Sequence, residues 1–564
     1  MAEFDPVVAR VLAARAVGDP AEMDFALARL HPPGMADLEA AVERLAAAVQ
    51  RRERVLVVGD FDADGATSTA LAVRALRMLG HNAVDYLVPN RFDDGYGLSR
   101  ELVASAREGG AEVILTVDNG VSSHDGVDAA REAGIDVVIT DHHVPPQEIP
   151  AAVAVVNPNR PDCPFPSPNL AGVGVAFYVL AALRTRLQQT LRNGDTLPSM
   201  ARLLDLVALG TLADVVPLDA NNRILVEQGL RRLRADQGTA GVAALLRSSN
   251  RDPLRATAMD LAYGAAPRLN AAGRMADMGI GIETLLADDE GEARRLAGRL
   301  DALNRDRRTV EAEMKAQADR ELSRLQAKLG NAETLPAVIV LHDGRWHQGV
   351  SGILASRMRQ AIHRPIVVFA DAGEGLLRGS CRSVPGLHMR DALAAVDTRR
   401  PGLMRAFGGH AMAAGLTLPA ASLDDFREAL NDEVVRVLGE LPPVPEILTD
   451  GPLAAEELSL ATAERLRTAA PWGCGFPAPS FDGRFRIRDH RLVGSGHLKL
   501  RVTAAEAAGG DELEAMVFNA DPGLQMQPGD EAHFVFRPEV NAFRGRRALQ
   551  LVVEHLDTDG DGRE

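Results

Sequence analysis

The chain has 564 residues, which is too long for one hydrophobic core and predicts several domains. Apolar residues make up 46% of the chain and charged residues 25%, which is typical of an ordinary soluble globular protein. The net charge of -16 gives no general attraction to nucleic acid, although charge summed over a long chain does not exclude one basic groove.

Three features of the sequence argue against a secreted or membrane protein. The cysteines, Cys163, Cys381 and Cys474, are far apart and lack the spacing of metal ligands. The N-terminus is acidic and has no apolar signal-peptide core, and no long apolar run follows it. We therefore expect a cytoplasmic protein that does not enter a membrane.

Residues 55 to about 156 alternate strand-like with helix-like segments. The strand-like segments are VLVVG, AVDYLVP, EVILTV, DVVIT and AAVAVV. Alternation of this kind predicts a parallel sheet with helices on both faces. Ligands of such sheets bind at the carboxyl ends of the strands, so the residues after each strand are the candidates for function.

The first predicted strand is followed by GDFDADG, which places Asp60, Asp62 and Asp64 at alternate positions. Carboxylates this close repel each other unless a positive charge lies among them. An EF-hand calcium loop is excluded, because its twelfth position requires Glu and here is Leu71. A helix cap near Ala66 is the other alternative, but a cap uses one carboxylate and not three. The segment therefore predicts a cation site.

Further segments add ligand residues to the same predicted edge. They are TVDNG and TDHH, which follow two other strands, and LADVVPL, which ends a helical stretch. Oxygen ligands with one or two imidazoles favour Mn²⁺ or Mg²⁺ over Zn²⁺. Two ions about 4 Å apart stabilise the attacking and leaving oxygens of a phosphoryl displacement. The predicted ligands, with Asp118 as the bridge between two ions, are Asp62, Asp64, Asp118, His142 and Asp214.

The remaining sequence predicts a long helix, a second α/β unit and a small barrel. Apolar residues recur at helix spacing from 296 to 329, which predicts a connecting helix of roughly 50 Å, with a coiled-coil partner helix as the alternative. Strand-like and helix-like segments follow from residue 337. Five short strands with glycine turns after residue 471 suggest an OB-fold, in which Phe543 beside Arg544 is a candidate for stacking on a base.

The motifs GDFDADG, TVDNG, TDHH and LADVVPL resemble those of the DHH phosphoesterase superfamily, which is named for its Asp-His-His. The segments PNRFDDGYGLS, GAAPRLNAAGRM, GRWHQGVSGILASRM and FGGHAMAAG are similar to those of the bacterial RecJ exonuclease family. The resemblance covers nearly the whole chain from about residue 50 and implies an α/β fold with five regions. These are an N-terminal helical segment, 1–50; a parallel-sheet DHH domain, 51–287; a connecting helix, 288–330; a second α/β domain of the DHHA1 type, 331–445; and an OB-like nucleic-acid-binding β-barrel with a short acidic tail, 446–564.

The resemblance implies a 5′→3′ exonuclease that hydrolyses single-stranded DNA to 5′-mononucleotides with two Mn²⁺ or Mg²⁺ ions, in DNA repair and recombination. It assigns His143 to a position that contacts the ions or the scissile phosphate, and Arg274 to one that stabilises the phosphate charge. One position departs from several phosphatase branches, where a ligand histidine stands in place of Val58. Either Asp60 compensates or that ion binds weakly. A single-strand-binding protein and a helicase are the expected partners, because single strands must first be exposed.

The second α/β unit is expected to bind the 5′ end of the strand. Ser380 and Arg382 lie two apart on a predicted strand, share a face and offer hydroxyl and guanidinium donors to a phosphate. The resemblance adds Arg91 and Tyr96 from the first domain, and His410 lies beside two glycines where it would face the substrate. In the alternative interpretation, Arg382 pairs with an acidic residue and His410 is a packed core residue.

Two other functions remain open at the level of sequence. The first is a phosphodiesterase of the same superfamily that acts on short oligonucleotides or cyclic dinucleotides, which has no need of a C-terminal barrel. The second is a non-catalytic, single-stranded-DNA-binding replication factor, which should have lost some of the predicted ligands. All of those ligands are present in this chain.

Overall fold

The computed structural model describes residues 4–89, 97–191, 195–329, 336–346, 348–439, 446–494, 496–505, 511–520, 526–543 and 546–558. The chain forms two compact units. The first combines Met1–Asn304 with Leu448–Glu564, and the second is Arg305–Ile447. None of the helices described in these ranges is long and apolar enough to cross a membrane.

The first unit contains a five-stranded parallel sheet in the order β2-β1-β3-β4-β5. This confirms the predicted parallel sheet. The order reverses between β1 and β3, and such a reversal opens a crevice at the carboxyl ends of the strands where ligands bind. The strands are β1 (Val55–Val58), β2 (Val84–Leu87), β3 (Val113–Val117), β4 (Asp136–Thr140) and β5 (Ala154–Val156).

Helices cover both faces of this sheet, because alternate residues of each buried strand point to opposite sides. Val113 and Leu115 of β3 join one apolar cluster, and Ile114 between them joins another. The helices of the first unit up to residue 286 are α1 (Pro6–Ala14), α2 (Leu38–Arg51), α3 (Ala63–Met78), α4 (Arg100–Glu108), α5 (His124–Glu132), α6 (Gly172–Gln188), α7 (Leu204–Ala213), α8 (Ala220–Arg234), α9 (Ala240–Ser248), α10 (Ala258–Asp260), α11 (Ala266–Met275) and α12 (Gly279–Leu286), with a π-helical turn at Leu261–Ala265.

Helix α13 (Glu290–Leu329) begins in the first unit and continues into the second. The second unit contains a mixed sheet in the order β6-β7-β8-β10-β9, in which β6 and β7 are parallel and the other pairs antiparallel. Its strands are β6 (Ile339–His342), β7 (Ile366–Asp371), β8 (Leu376–Arg382), β9 (Ala406–Gly409) and β10 (Ala413–Pro419), and its helices are α14 (Gln348–Ile362), α15 (Met389–Arg399) and α16 (Leu423–Leu438).

The C-terminal strands close into a five-stranded barrel in the order β11-β12-β13-β15-β14. Phe481, Phe485, Phe534 and Phe536 fill its core. The barrel confirms the predicted OB-like domain. After helix α17 (Leu460–Ala469), its strands are β11 (Phe481–Val493), β12 (His497–Ala504), β13 (Leu513–Val517), β14 (Glu531–Phe543) and β15 (Arg546–Asp557).

The barrel and its leading segment belong to the same compact unit as the parallel sheet. Arg15, at the end of α1, forms a two-pronged ion pair with Asp450, and both side chains are buried. The Arg15 guanidinium also lies over the ring of Trp472, 5.2 Å from its centroid. A buried pair of this kind strongly disfavours separation of its partners, because either charge alone would be left without compensation.

Candidate metal centre

The loop between β1 and α3 places three carboxylates at the carboxyl edge of the parallel sheet. Asp62 caps α3, accepting a hydrogen bond from the Gly65 amide at 3.0 Å, so the capping interpretation holds for this residue. Asp60 and Asp64 are buried. Only glycine fits at position 65, because a Cβ there would lie 2.6 Å from the backbone nitrogen and oxygen of Asp60. The tight turn thus holds all three carboxylates together.

Asp64 is held by the N-terminus of α6. Its two oxygens accept hydrogen bonds from the backbone amides of Gly172 at 2.7 Å and Val173 at 3.0 Å. The positive end of the helix dipole compensates part of the carboxylate charge. A Cβ at Gly172 would lie 2.5 Å from Asp118 Oδ1, so glycine is required there as well. This contact was not predicted, and its only signal in the sequence is a pair of glycines, Gly172 and Gly174, in the first turn of the long apolar helix α6.

The residues after β3 and β4 complete the edge. Asp118 has a left-handed backbone with φ of 63°, which is uncommon outside glycine and clusters at functional sites. Asp141 is buried and accepts hydrogen bonds from the Val121 amide and from the amides of His142 and His143. It also bonds to His143 Nδ1 at 2.7 Å. Asp141 therefore orients the His143 ring.

His142 points into the group of carboxylates. Its Nε2 lies 3.2 Å from Asp118 Oδ1, 3.5 Å from Asp214 Oδ2 and 4.0 Å from Asp64 Oδ2. This nitrogen is buried and forms no hydrogen bond within the described part of the chain. A buried polar atom without a hydrogen bond, facing three carboxylates, is the arrangement expected of a metal ligand.

Three sets of ligand atoms each lie within 4.8 Å of one another. All five predicted ligands belong to these sets, and the structure adds Asp60 and His143 to them. The donors are carboxylate oxygens and two imidazoles, with no thiolate, which fits Mn²⁺ or Mg²⁺. The sets are Asp118, His142 and His143; Asp64, His142 and Asp214; and Asp60, Asp62 and Asp118.

The charges in this cluster alter the protonation of its members. Burial and repulsion between carboxylates raise the pKa of Asp64 to about 7 and that of Asp214 to about 7. The same causes raise the pKa of Asp118 well above its ordinary value. Burial lowers the pKa of His142, which keeps it neutral and able to coordinate a metal. Burial lowers the pKa of His143, but the Asp141 hydrogen bond together with the charges of nearby carboxylates outweighs it, and the pKa rises to about 9.

Helix α11 packs against the acidic loop. Asn270 accepts a hydrogen bond from the Ala63 amide at 2.9 Å. A Cβ at Gly273 would lie 1.8 Å from the Phe61 carbonyl oxygen, so the helix backbone approaches the loop closely. Arg274, the next residue, is exposed. Its predicted role near a phosphate stays a prediction.

In the second unit, Ser380 and Arg382 share one face of β8, as predicted, and α14 packs over that face. Ser351 Oγ is 2.9 Å from Ser380 Oγ, and the Arg382 Nε donates to Ser356 Oγ at 2.9 Å. Burial lowers the pKa of the Arg382 guanidinium. No ion pair joins it to a carboxylate among the described residues, so the structure gives no support to the alternative of a paired arginine.

Of the other predicted substrate-binding residues, the structure describes His410. His410 is exposed in the turn between β9 and β10, which contradicts the alternative that it is a packed core residue. Its amide bonds to the Ala413 carbonyl at 2.8 Å, and Gly409 before it has φ of 133°. Arg91, Tyr96 and the side chain of Phe543 lie outside the described residues.

Comparison with protein-family models gives three matches. The DHH family N-terminal domain matches residues 54–211, the DHHA1 domain residues 335–436 and the RecJ OB domain residues 449–555. Together with the acidic edge of the parallel sheet, these matches define a protein of the DHH class with DHHA1 and OB domains.

Similar proteins identify the family within the DHH class to which this chain belongs. The single-stranded-DNA-specific exonuclease RecJ of Dickeya dadantii is 53% identical over 92% of this chain and 89% of the relative. That of Escherichia coli is 48% identical over 98% of this chain and 96% of the relative. The crystal structure of RecJ from Thermus thermophilus with Mn²⁺ has a TM-score of 0.75 and 30% identity, covering 99% of this chain and 76% of that one. The chain belongs to the RecJ family of single-stranded-DNA-specific exonucleases.

We expect Mn²⁺ to raise the melting temperature of the protein more at pH 8 than at pH 5.5. Without a cation, folded Asp64 and Asp214 keep their protons up to about pH 7, whereas the unfolded chain loses them near pH 4. The cation-free protein therefore loses stability as the pH rises from about 4 to about 7. Mn²⁺ competes with these protons below pH 7 and not above it.

Melting curves with Mn²⁺ and with a chelator, recorded at both pH values, measure this difference. An equal shift at pH 5.5 and pH 8 would contradict coupling between the raised carboxyl pKa values and cation binding.

Proposed function

We propose that this chain is a 5′→3′ exonuclease that hydrolyses single-stranded DNA to 5′-mononucleotides with two Mn²⁺ or Mg²⁺ ions. The observation that carries the proposal is the convergence of His142 on Asp64, Asp118 and Asp214. We further propose that it acts in the cytoplasm, in DNA repair and recombination, with a single-strand-binding protein and a helicase as partners.

In this proposal the carboxylates and His142 hold the cations, and the surrounding residues orient the substrate. When bound, two divalent cations activate water and neutralise charge on the phosphoryl group. His143, whose ring Asp141 orients through Nδ1, would stand beside the cations and the scissile phosphate. Arg274 supplies a positive charge from the end of α11.

Direction of digestion requires a contact that only one end of the strand can make. A terminal 5′-phosphate carries more charge than an internal diester and has three free oxygens. We propose that Ser380 and Arg382 bind it with hydroxyl and guanidinium donors, with Arg91, Tyr96 and His410 as further contacts. The partial burial of Arg382 supports this, because desolvation strengthens a charged hydrogen bond.

The barrel provides a surface for a longer strand. OB-folds bind oligonucleotides on the second and third strands and the loop before them, which here are β12, β13 and the β11–β12 turn. Phe518, after β13, is 51% exposed, whereas the other described aromatic side chains between 472 and 536 are buried. Arg488 and Arg491 are exposed on β11 near the same turn. Hydrolysis of a dinucleotide has no use for such a surface, which favours the exonuclease over the short-substrate alternative.

Replacing Asp118 with Asn should lower kcat on single-stranded DNA by on the order of a thousandfold or more, because one oxygen of the proposed bridging ligand is lost. Asn tolerates the left-handed backbone at this position, so the melting temperature should not fall. Digestion of a 3′-labelled strand with Mn²⁺ measures activity and polarity together. Asp85→Ala, an exposed carboxylate on β2, is the control. Near-normal turnover by Asp118→Asn would overturn the two-ion mechanism.

Replacing Arg382 with Ala should lower kcat/KM more for a 5′-phosphorylated strand than for the same strand with a 5′-hydroxyl. A comparison of two enzymes on two substrates isolates the coupling, which we expect to be about 1.5–3 kcal/mol for a partly desolvated charged hydrogen bond. Arg378→Ala is the matched control, because Arg378 lies on the same face of β8 and is exposed. Equal losses on both substrates would show that Arg382 does not recognise the terminal phosphate.

Replacing Arg491 with Ala should weaken binding to a long single strand and reduce the slope of log K against log salt by about 0.7, the value for one phosphate contact. The matched control is Arg486→Ala on the same strand, because Arg486 already pairs with Glu531 at 2.6 Å and should contribute little. Fluorescence anisotropy across a salt series gives both slopes. If the two variants behave alike, the strand does not follow this side of the barrel.

A further inference from the structure

Two asparagines after β5 hold the backbone that carries the histidines of the metal centre. Asn157 Nδ2 donates a hydrogen bond to the His143 carbonyl at 2.9 Å, and Asn159 Nδ2 donates one to the His142 carbonyl at 2.5 Å. Asn157 Oδ1 accepts a hydrogen bond from the Asn159 amide at 2.7 Å, which links the two asparagines. The carbonyl of each histidine therefore has its own side-chain donor.

These side chains act where the backbone pairing of the parallel sheet stops. The ladder between β4 and β5 reaches the Asp141 amide, which donates to the Val156 carbonyl at 3.1 Å. Donors alternate along a parallel ladder, so the next amide required from the second segment is that of residue 158. That residue is Pro158, which has no N–H to donate. The asparagines on either side of the proline replace the missing ladder with side-chain hydrogen bonds.

The amides of the two histidines are held as firmly as their carbonyls. Asp141 Oδ1 accepts hydrogen bonds from the His142 amide at 2.7 Å and from the His143 amide at 3.0 Å. Because both polar groups of each backbone unit are bonded to side chains, the imidazoles can move only through their own side-chain torsions. The asparagines thus restrict where His142 Nε2 lies relative to the carboxylates.

We propose that Asn157 and Asn159 are positioning residues, which hold the two imidazoles in place and thereby raise the affinity of the centre for its cations. This inference rests on the proposed function, in which His142 is a metal ligand. A ligand that is not held in place must lose conformational freedom when the ion binds, which lowers the affinity. Residues that orient metal ligands commonly contribute about tenfold to a hundredfold in affinity. Asn159 bonds to the backbone of His142 and not to its ring, so we expect an effect of about tenfold.

The test replaces Asn159 with Ala, because Asn159 is partly exposed and its loss should disturb folding less than loss of the fully buried Asn157. A titration followed by the electron paramagnetic resonance signal of free Mn²⁺ gives the concentration at half-saturation, which should rise about tenfold. The Mn²⁺ concentration for half-maximal digestion of single-stranded DNA should rise by the same factor. At saturating Mn²⁺, kcat should fall by no more than about threefold, because the bound ion itself then holds the imidazole.

The matched control is Asn431→Ala in the second unit. Asn431 is also partly exposed, and its side chain accepts a hydrogen bond from a backbone group, the Ala337 amide, at 3.1 Å. This variant should lose some thermal stability and bind Mn²⁺ as the unmodified protein does. Asn159→Leu, which keeps much of the side-chain volume without a donor, replaces the main variant if Asn159→Ala does not fold.

Two results would overturn the positioning role. One is an unchanged half-saturation concentration of Mn²⁺ in a folded Asn159 variant, and the other is an equal change in Asn431→Ala. The proposed function fails separately, if the unmodified protein binds Mn²⁺ and does not digest single-stranded DNA. In that case the titration alone decides the role of the asparagines.

Discussion

The concentration of negative charge at one edge of the parallel sheet is the constraint on which the rest of the site depends. Asp60, Asp64 and Asp118 are buried; Asp60 and Asp118 have ligand atoms within 4.8 Å of Asp62, and Asp64 has one within 4.8 Å of Asp214. Their mutual repulsion and lost hydration would favour protonated carboxyls unless positive charge were supplied. The fold supplies part of it through the amides of α6, which bind Asp64, and the raised pKa values show that this compensation is incomplete. A divalent cation would provide the rest of the positive charge.

Several local features make sense only in relation to this constraint. Asp118 has a left-handed backbone, and glycines at 65 and 172 let other segments approach the carboxylates more closely than any side chain would allow. Asp141 belongs to none of the three ligand sets and binds His143, so that without a cation one imidazole is neutral and the other is positively charged at neutral pH. The two adjacent histidines thus differ in charge. His142 is buried among the carboxylates, whereas His143 forms a hydrogen bond with Asp141.

Much of this organisation could be predicted from the sequence. Strand-like segments that end in acidic residues predicted both the parallel sheet and the edge where Asp62, Asp118 and His142 meet. Helix spacing predicted the connecting helix, and glycine turns between short apolar segments predicted the barrel; the structure confirms these elements. The ligand roles stay predictions, although the structure brings the five residues together.

Some contacts could not be predicted from the sequence, because one of the two partners is a group that no residue type marks. The amides of Gly172 and Val173 lie 108 and 109 residues after Asp64, and backbone amides leave no mark in a sequence. Residue type alone also did not predict the left-handed backbone of Asp118.

The pair between Arg15 and Asp450 joins residues 435 positions apart and has a consequence for the order of folding during synthesis. A ribosome adds about 5–20 residues per second, so Asp450 is made tens of seconds after Arg15. The second unit is continuous in the chain and can fold as soon as it emerges. The first unit is interrupted by it and cannot be completed until the last strands of the barrel leave the ribosome. The parallel sheet, with its repelling carboxylates, therefore spends this interval without the C-terminal part of its own unit, and a nascent chain in that state would be the form most dependent on chaperones.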